Sequence, residues 1–121
     1  MARDLLGRWG ESLAAAYLQK KRYQITAANF RSRFGEIDLI AENRKFLVFV
    51  EVKLRKSAAF AQAREFVDHR KQEKLKQTAA LFLSQNAENT KQPRFDVIEV
   101  YAPDGMNTKN PEIKHWENAF E

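Results

Sequence analysis

The chain has 121 residues, 44% of them hydrophobic, and this length supports one packed core, so we expect a single domain over residues 1–121 with a C-terminal tail from about residue 103. It contains no cysteine, which excludes disulfides, thiolate nucleophiles and cysteine-based zinc sites. Lys and Arg outnumber Asp and Glu by 21 to 16, and the resulting net charge of +5 favours polyanionic partners.

A first helix is predicted over residues 4–21, which are rich in good helix formers. Glu11 lies in the middle of one narrow face of this helix, whose other members are small or apolar and would allow close approach to a sheet. A glutamate is unusual at a packing position, and the simpler interpretation is an exposed helix residue flanked by alanines. The other members of this face are Gly7, Ala14, Ala15 and Leu18.

The remaining elements are predicted from hydrophobic periodicity and from capping residues. In chain order we expect a strand over residues 23–33, a second over 35–40, a third over 46–56, a helix from the N-cap Asp68 to about residue 85, and a last strand over 94–102. Residues 57–67 have no clear periodicity, and from residue 107 onward we expect a tail whose Ile113, Trp116 and Phe120 dock on the core. This order predicts an α/β fold with a mixed central sheet flanked by helices.

Charged side chains interrupt two segments that otherwise have the composition of buried strands. Asp38 lies in the second predicted strand, and Glu51 and Lys53 lie in the third. Because desolvating a charged group is costly unless a counter-ion, a metal or hydrogen bonds compensate, such residues mark either a functional site or a structural ion pair. Glu51 and Lys53 share one face of their strand. A two- or four-residue turn between the strands would place Asp38 on that face as well, whereas a three-residue turn would place it on the opposite face.

A shared position for Asp38 and Glu51 would give a hard-oxygen site suited to Mg²⁺ or Mn²⁺. Lys53 would then orient or activate the attacking water, or stabilise charge that develops on a phosphate. The alternative interpretation is an ordinary cross-strand pair between an acid and a lysine, which half-exposed sheets often contain.

The pattern of Asp38 with Glu51 and Lys53 resembles the active-site signature of the PD-(D/E)xK nucleases, which have the restriction-endonuclease-like αβββαβ fold. Four segments in order resemble the small YraN-like bacterial family, which is similar in fold to archaeal Holliday-junction resolvases. The segments are residues 10–11, 35–40, 49–55 and 94–97, so the resemblance covers nearly the whole chain. It implies a metal-dependent endonuclease that hydrolyses phosphodiester bonds of DNA, with branched or junction DNA in repair or recombination as the expected substrate.

The resemblance also implies which residues form the site. Asp38, Glu51, Lys53 and Glu11 would be catalytic, and Asp38, Glu51, Glu11 and the backbone carbonyl of Val52 would bind Mg²⁺ or Mn²⁺. Symmetric cutting of a four-way junction usually needs two active sites, so a homodimer is expected for that substrate.

Basic residues flank the acidic segments and form a strongly basic first turn in the second predicted helix. Acids at the centre with bases at the rim suit phosphate chemistry, because the bases neutralise backbone phosphates with little dependence on base sequence. The alternative is the solvated face of an amphipathic helix. Lys71 is also a candidate for reaching into the site. The residues predicted to bind nucleic acid are Arg31, Arg33, Arg55, Lys56, Arg70, Lys71 and Lys74.

The other notable titratable residues are interpreted as structural. Asp96, in the last predicted strand beside Arg94, is expected to be a hydrogen-bond acceptor or ion-pair member and not a metal ligand. His69 and His115 have no metal-ligand spacing, and both are expected at the surface or at a helix end.

Two other functions fit the same residues. A non-catalytic nucleic-acid-binding or adaptor module that keeps the nuclease fold would carry the same basic surface, and a ribonuclease would have the same site. The N-terminal residues lack the apolar core of a signal peptide, and no apolar run approaches a membrane span. We therefore expect a cytoplasmic protein with no membrane partner.

Overall fold

The computed structural model describes residues 4–57 and 67–121, and its elements follow the predicted order with a further strand at the end. The predicted helices and strands are α1 (Leu5–Lys20), β1 (Gln24–Ser32), β2 (Gly35–Glu42), β3 (Phe46–Arg55), α2 (His69–Gln85) and β4 (Gln92–Tyr101). A 3₁₀ turn, Gly105–Asn107, and β5 (Glu112–Phe120) follow. Most of the segment 57–67, for which the sequence predicts no element, lies outside the described residues.

The five strands form a mixed sheet in the order β1-β2-β3-β4-β5. β3 and β4 are parallel, and the other neighbouring strands are antiparallel. A parallel pair requires a crossover connection, and α2 lies within it. Leu47 and Phe49 of β3 join the core cluster under α2, whereas Val48 and Val50 join the cluster under α1, as the alternation of a strand requires. The predicted α/β architecture, a mixed sheet flanked by helices, is confirmed.

Capping side chains set the start of both helices. The Asp4 carboxylate accepts a hydrogen bond from the Gly7 N–H at 2.6 Å, and Asp68 accepts one from the Lys71 N–H at 2.9 Å. The predicted N-cap at Asp68 is therefore confirmed. In the part of the chain that the structure describes, neither helix has the length and apolar character needed to cross a membrane.

Gly10 lies where α1 packs tightly against β3. A Cβ placed on Gly10 would lie 2.9 Å from Leu54 Cδ2 and 3.1 Å from Leu54 Cγ. Alanine ordinarily stabilises a helix interior by about 0.5–1 kcal/mol relative to glycine. Here we expect Gly10→Ala to lower the free energy of unfolding by about 1 kcal/mol, because overpacking costs about 1–3 kcal/mol.

Urea denaturation of Gly10→Ala, measured with and without Leu54→Ala, tests this contact. The Leu54→Ala background should convert the Gly10→Ala effect from destabilising to stabilising, because the truncated side chain leaves room for the new methyl group. A stabilising Gly10→Ala in the parent protein would contradict the close packing.

The C-terminal segment forms strand β5 where the sequence predicts a tail. β5 lies antiparallel to β4, with Trp116 opposite Val97 and Phe120 opposite Phe95. The pairing changes register between Phe95 and Val97, and Asn118 has a left-handed φ of 51°. These irregularities interrupt the period-two pattern by which a strand is recognised in a sequence. The predicted docking of Trp116 and Phe120 on the core is confirmed.

A buried ion-pair network joins β4 to β5. Arg94 donates from Nε to Asp96 Oδ1 at 2.9 Å and from Nη2 to Oδ2 at 2.8 Å. His115 Nε2 lies 2.6 Å from Oδ2, and the Asn118 N–H donates to Oδ1 at 3.0 Å. The predicted structural role of Asp96 is confirmed. The predicted surface position of His115 is wrong, since its side chain is 3% exposed; Asp96 supplies the hydrogen bond that a buried imidazole requires.

This network makes stability depend on pH below neutrality. Burial opposes ionisation of Asp96, but its hydrogen bonds with His115 and Arg94 hold its pKa below the ordinary value. A lowered pKa in the folded state stabilises the protein above the pKa of the unfolded state, and that stabilisation is lost as the pH falls through the folded pKa. We therefore expect the urea midpoint to fall between about pH 5 and pH 3. The same titration of Asp96→Asn should be flatter, and an equal slope in both proteins would contradict this assignment.

Candidate active site

The turn between β2 and β3 decides which face of the sheet Asp38 occupies. The register pairs Glu42 with Leu47, so four residues separate the last paired positions. Within this turn the Asn43 N–H donates to the Phe46 carbonyl at 3.1 Å. The geometry is the four-residue alternative, and extending the register from Leu39 opposite Val50 places Asp38 opposite Glu51.

Asp38 lies at the point where β2 and β3 separate. Their backbone pairing runs from Glu42 opposite Leu47 to Leu39 opposite Val50. At the next position the Val52 N–H donates to Asp38 Oδ2 at 2.8 Å, so a side-chain oxygen takes the place of a backbone acceptor. This hydrogen bond fixes the carboxylate between the two strands.

Asp38 and Glu51 are close enough to influence each other's charge. Burial, followed by the negative charge of Glu51, raises the pKa of Asp38 to about 8, and the charge of Glu11 adds a smaller effect in the same direction. Glu51 itself is buried, with 6% of its surface exposed. Holding the half-buried Asp38 carboxylate beside the buried Glu51 carboxylate costs free energy unless a cation or a proton compensates.

Two lysines contact the Glu51 carboxylate. Lys53 Nζ lies 3.3 Å from Glu51 Oε2, and Lys71 Nζ, from the first turns of α2, contacts the same oxygen. Burial, together with the neighbouring Lys71 ammonium, lowers the pKa of Lys53. Burial has the same tendency at Lys71, but the contact with Glu51 outweighs it and raises the Lys71 pKa. The predicted convergence of Asp38, Glu51, Lys53 and Lys71 is therefore present.

Glu11 approaches from the other face of the sheet. It is buried on α1 and accepts a hydrogen bond from Asn29 Nδ2 at 3.0 Å. Asn29 has a left-handed φ of 53°, and the β1–β2 register places it opposite Asp38. Among residues 4–57 and 67–121, however, no three His, Asp or Glu side chains are grouped so that they could hold a metal ion. The structure thus brings together the Asp38–Glu51 pair, and the charge of Glu11 acts on Asp38 more weakly than that of Glu51.

The donor set of this pair fits a hard divalent cation. Mg²⁺ usually keeps several waters and is bound by one or two carboxylates together with substrate phosphate oxygens. Asp38 and Glu51 supply two carboxylates, and Val52, which follows Glu51 and donates its N–H to Asp38, carries the backbone carbonyl that was predicted as a further ligand. The same set does not fit a structural zinc site, which requires four nitrogen or sulfur ligands. Mg²⁺ and Mn²⁺ are therefore the ions that the residues suit.

A second buried acid lies beside Lys53 and was missed by the sequence analysis. Glu99 of β4 is opposite Lys53 in the register and is 0% exposed. It accepts from Tyr101 Oη and from Trp116 Nε1, each at 2.9 Å, and Arg55 Nε lies 3.3 Å from its other oxygen. A charge inside an apolar strand, the signal that identified Glu51, is present at Glu99 as well.

Arg55 therefore has a structural partner, whereas the sequence predicts that it binds phosphate. Its guanidinium pairs with the fully buried Glu99, and its side chain is 22% exposed. Moving the guanidinium away would leave the buried Glu99 carboxylate without a counter-ion, which costs free energy, so the ion pair keeps Arg55 beside the sheet. Lys56, the next residue, is exposed at the end of β3.

The other predicted phosphate-binding residues are exposed on the β1–β2 hairpin and on α2. The Ser32 and Thr78 hydroxyl groups are 2.9 Å apart, which joins the end of the β1–β2 hairpin to α2. The exposed residues of these two elements that were predicted to bind phosphate are Arg31, Arg33, Arg70 and Lys74. Arg31 also pairs with Glu36 at 3.3 Å. The hairpin and α2 thus carry exposed basic side chains, and their role in phosphate binding stays a prediction.

Comparison with known proteins gives one family. Residues 10–100 match the family model described as "Uncharacterised protein family UPF0102". A UPF0102 protein of Syntrophomonas wolfei is 44% identical over 115 residues, which covers 95% of this chain and 96% of the relative. A UPF0102 protein of Caldanaerobacter subterraneus is 43% identical, over 95% of this chain and 93% of its own length. A UPF0102 protein of Caldicellulosiruptor bescii is 46% identical, over 84% of this chain and 86% of its own length.

Proposed function

The chain belongs to the uncharacterised protein family UPF0102, and from the geometry of its acid pair we propose that it is a PD-(D/E)xK-type, metal-dependent endonuclease that hydrolyses phosphodiester bonds of DNA. The observation that carries this proposal is the Asp38 carboxylate, fixed by the Val52 N–H opposite Glu51, with Lys53 in contact with the Glu51 carboxylate. Branched or junction DNA is the substrate class that we propose.

Asp38, Glu51 and the Val52 carbonyl would hold Mg²⁺ or Mn²⁺, with Glu11 acting through water. When bound, the ion would supply the positive charge that an anionic phosphate requires as negative charge develops in the transition state. Carboxylates alone would repel the substrate, so the acid pair needs this charge. The Val52 N–H keeps the Asp38 oxygens oriented, which lowers the cost of organising the site at each turnover.

The pKa values of Lys53 and Lys71 are shifted in opposite directions. Lys53 has a lowered pKa, and a lysine of that kind exchanges a proton with water more readily than an ordinary lysine, so we assign it to orienting the attacking water. Lys71 has a raised pKa and stays a cation, so we assign it to neutralising the phosphate. Both assignments use the contacts that these ammonium groups make with Glu51.

A second candidate function has one observation in its favour. Lys53 and Lys71 together carry as many positive charges as Asp38 and Glu51 carry negative ones when all four are ionised. Such a cluster is compensated without a metal, as in a module that keeps the nuclease fold and binds nucleic acid without cutting it. In that case the protein would bind nucleic acid on the nuclease fold, and it would cleave no substrate with any divalent cation.

A substrate panel tests the proposed function. Purified protein is incubated with four-way junction, flapped, duplex and single-stranded DNA, and with RNA of the same sequences, in Mg²⁺, Mn²⁺ or chelator. We expect cleavage of DNA in either metal and none in chelator. Binding without cleavage of any substrate supports the second candidate, and cleavage confined to RNA would overturn the assignment to DNA.

Lys53→Met is expected to reduce the cleavage rate by about 10²-fold or more, because it removes a charge beside the reacting phosphate while retaining a side chain of similar length. Single-turnover rates and the dissociation constant for DNA should both be measured, with Lys76→Met as the control. Lys76 pairs with Glu73 on α2 and its removal should change neither value more than a few-fold. An unchanged rate in Lys53→Met would remove this lysine from the mechanism.

A further inference from the structure

Basic side chains from two separate turns meet at the end of the sheet where β3 begins. A groove of about 390 Å³ is lined there by Lys20, Lys21, Arg22, Tyr23, Asn43 and Glu117. The first three residues end α1 and form the turn to β1, whereas Asn43 belongs to the β2–β3 turn. Arg44 and Lys45 follow Asn43, and all five basic residues are exposed. We call Lys20, Lys21, Arg22, Arg44 and Lys45 the basal patch.

The acids near the basal patch leave it positive. Glu42, at the end of β2, already pairs with Lys91 and accepts from Thr26. Glu117, on the wall of the groove, lies 4.0 Å from Arg94. The basal patch has five basic side chains, and the one acid among the groove residues is shared with a buried arginine, so a polyanion fits this charge.

Arg22 has a left-handed backbone conformation, which residues with a Cβ rarely adopt. The Tyr23 N–H donates to the Leu18 carbonyl and the Arg22 N–H to the Gln19 carbonyl, each at 3.0 Å, which is the hydrogen-bond pattern of a Schellman motif at the end of α1. Arg22 is its left-handed residue, with a φ of 69°. Glycine or asparagine is the usual residue there, because a Cβ is strained at that φ. The exposed Arg22 therefore adds its charge to the basal patch at a cost in backbone strain.

From these observations we propose that the basal patch is a second phosphate-binding surface for the nucleic acid that occupies the acid pair. This inference rests on the proposed function. Lys45 precedes β3 and Glu51 lies six residues further along the chain, a separation of about 20 Å at about 3.3 Å per residue. Because α1 and α2 cover the two faces of β3, nucleic acid would reach both places over the protein surface, across at least about six base pairs at about 3.4 Å per base pair. Contacts to backbone phosphates would add affinity that is independent of base sequence and sensitive to salt.

The test combines Arg22→Gly with Lys45→Ala. Arg22→Gly relieves the backbone strain and should raise Tm by about 2–6 °C, so weaker binding could not be attributed to unfolding. Lys76→Ala with Lys109→Ala is the matched control, since it removes two charges away from the basal patch. Fluorescence anisotropy in chelator, with labelled duplex at several salt concentrations, measures binding without cleavage.

We expect the basal-patch variant to bind long duplex about tenfold more weakly than the parent, with the slope of log K against log salt reduced by about 0.9 for each lost phosphate contact. The control should retain the parent slope. On a duplex that extends fewer than about six base pairs beyond the acid pair, parent and variant should bind equally.

Each remaining outcome would overturn the basal patch, the proposed function or both. Equal binding of long duplex by parent and variant would overturn the basal patch while leaving the proposed nuclease site intact. A parent protein that binds no nucleic acid would instead overturn the proposed function, and the basal patch with it. Phosphatidylserine-containing vesicles are titrated in parallel, and a variant that loses vesicle binding but keeps DNA binding would reassign the surface to lipid and overturn the proposal.

Discussion

Replacing Asp38 with asparagine is expected to reduce divalent-dependent DNA cleavage by at least about 10²–10³-fold. The substitution keeps an oxygen that can accept the Val52 N–H, so the separation of β2 from β3 is preserved. It removes one of the two carboxylate charges at the point where Glu51 and Asp38 meet. Affinity for DNA measured in chelator should be equal to or higher than that of the parent, because a negative charge has been removed from a phosphate-binding site.

Glu42→Gln is the matched control for this prediction. Glu42 is a paired carboxylate at the far end of the same strand, where it contacts Lys91 and Thr26. Its substitution should leave single-turnover cleavage within a few-fold of the parent. If Asp38→Asn cleaves as fast as Glu42→Gln, Asp38 takes no part in the reaction and the assigned site is wrong.

Asp96→Ala is expected to lower the free energy of unfolding by about 3–5 kcal/mol, the usual cost of removing one partner of a buried ion pair. Asp96 is 1% exposed and accepts hydrogen bonds from Arg94 and the Asn118 N–H, with His115 on one oxygen. The substitution leaves the guanidinium and the imidazole without their acceptor in the interior. Because β5 is held to β4 partly through this carboxylate, amide hydrogen exchange in β5 should accelerate most.

The matched control is Asp104→Ala. Asp104 is exposed before the 3₁₀ turn and makes no side-chain capping hydrogen bond there, so its substitution should stay within about 0.5 kcal/mol of the parent. Urea denaturation of both variants gives the comparison. A loss below about 1 kcal/mol in Asp96→Ala would mean that solvent replaces the network at little cost.

The sequence predicts most of the fold and the centre of the site because the relevant signals are local. The helix start at Asp68 follows from its capping side chain, and the bounds of β3 follow from a run of β-branched and aromatic residues. Glu51 and Lys53 share a face because alternation is a property of every strand. The face of the sheet that Asp38 occupies could be predicted only for a given turn length, and the turn has four residues.

What the sequence does not predict depends on contacts between distant residues. β5 carries Asn118 in a left-handed conformation and a register shift against β4, so its spacing does not have a regular period. The buried His115 contacts Asp96 on the neighbouring strand, and that partnership across two strands has no local signal. Glu99 could have been identified by the criterion used for Glu51, namely a charge within an apolar strand.

The most direct test of the central claim, that Asp38 and Glu51 form one binding site for a divalent cation, is calorimetric titration of Mn²⁺ into the parent, Asp38→Asn and Glu42→Gln proteins in the absence of nucleic acid. We predict saturable binding to the parent and to Glu42→Gln, and its loss in Asp38→Asn. Equal heats in all three proteins, or no binding to the parent, would contradict the account.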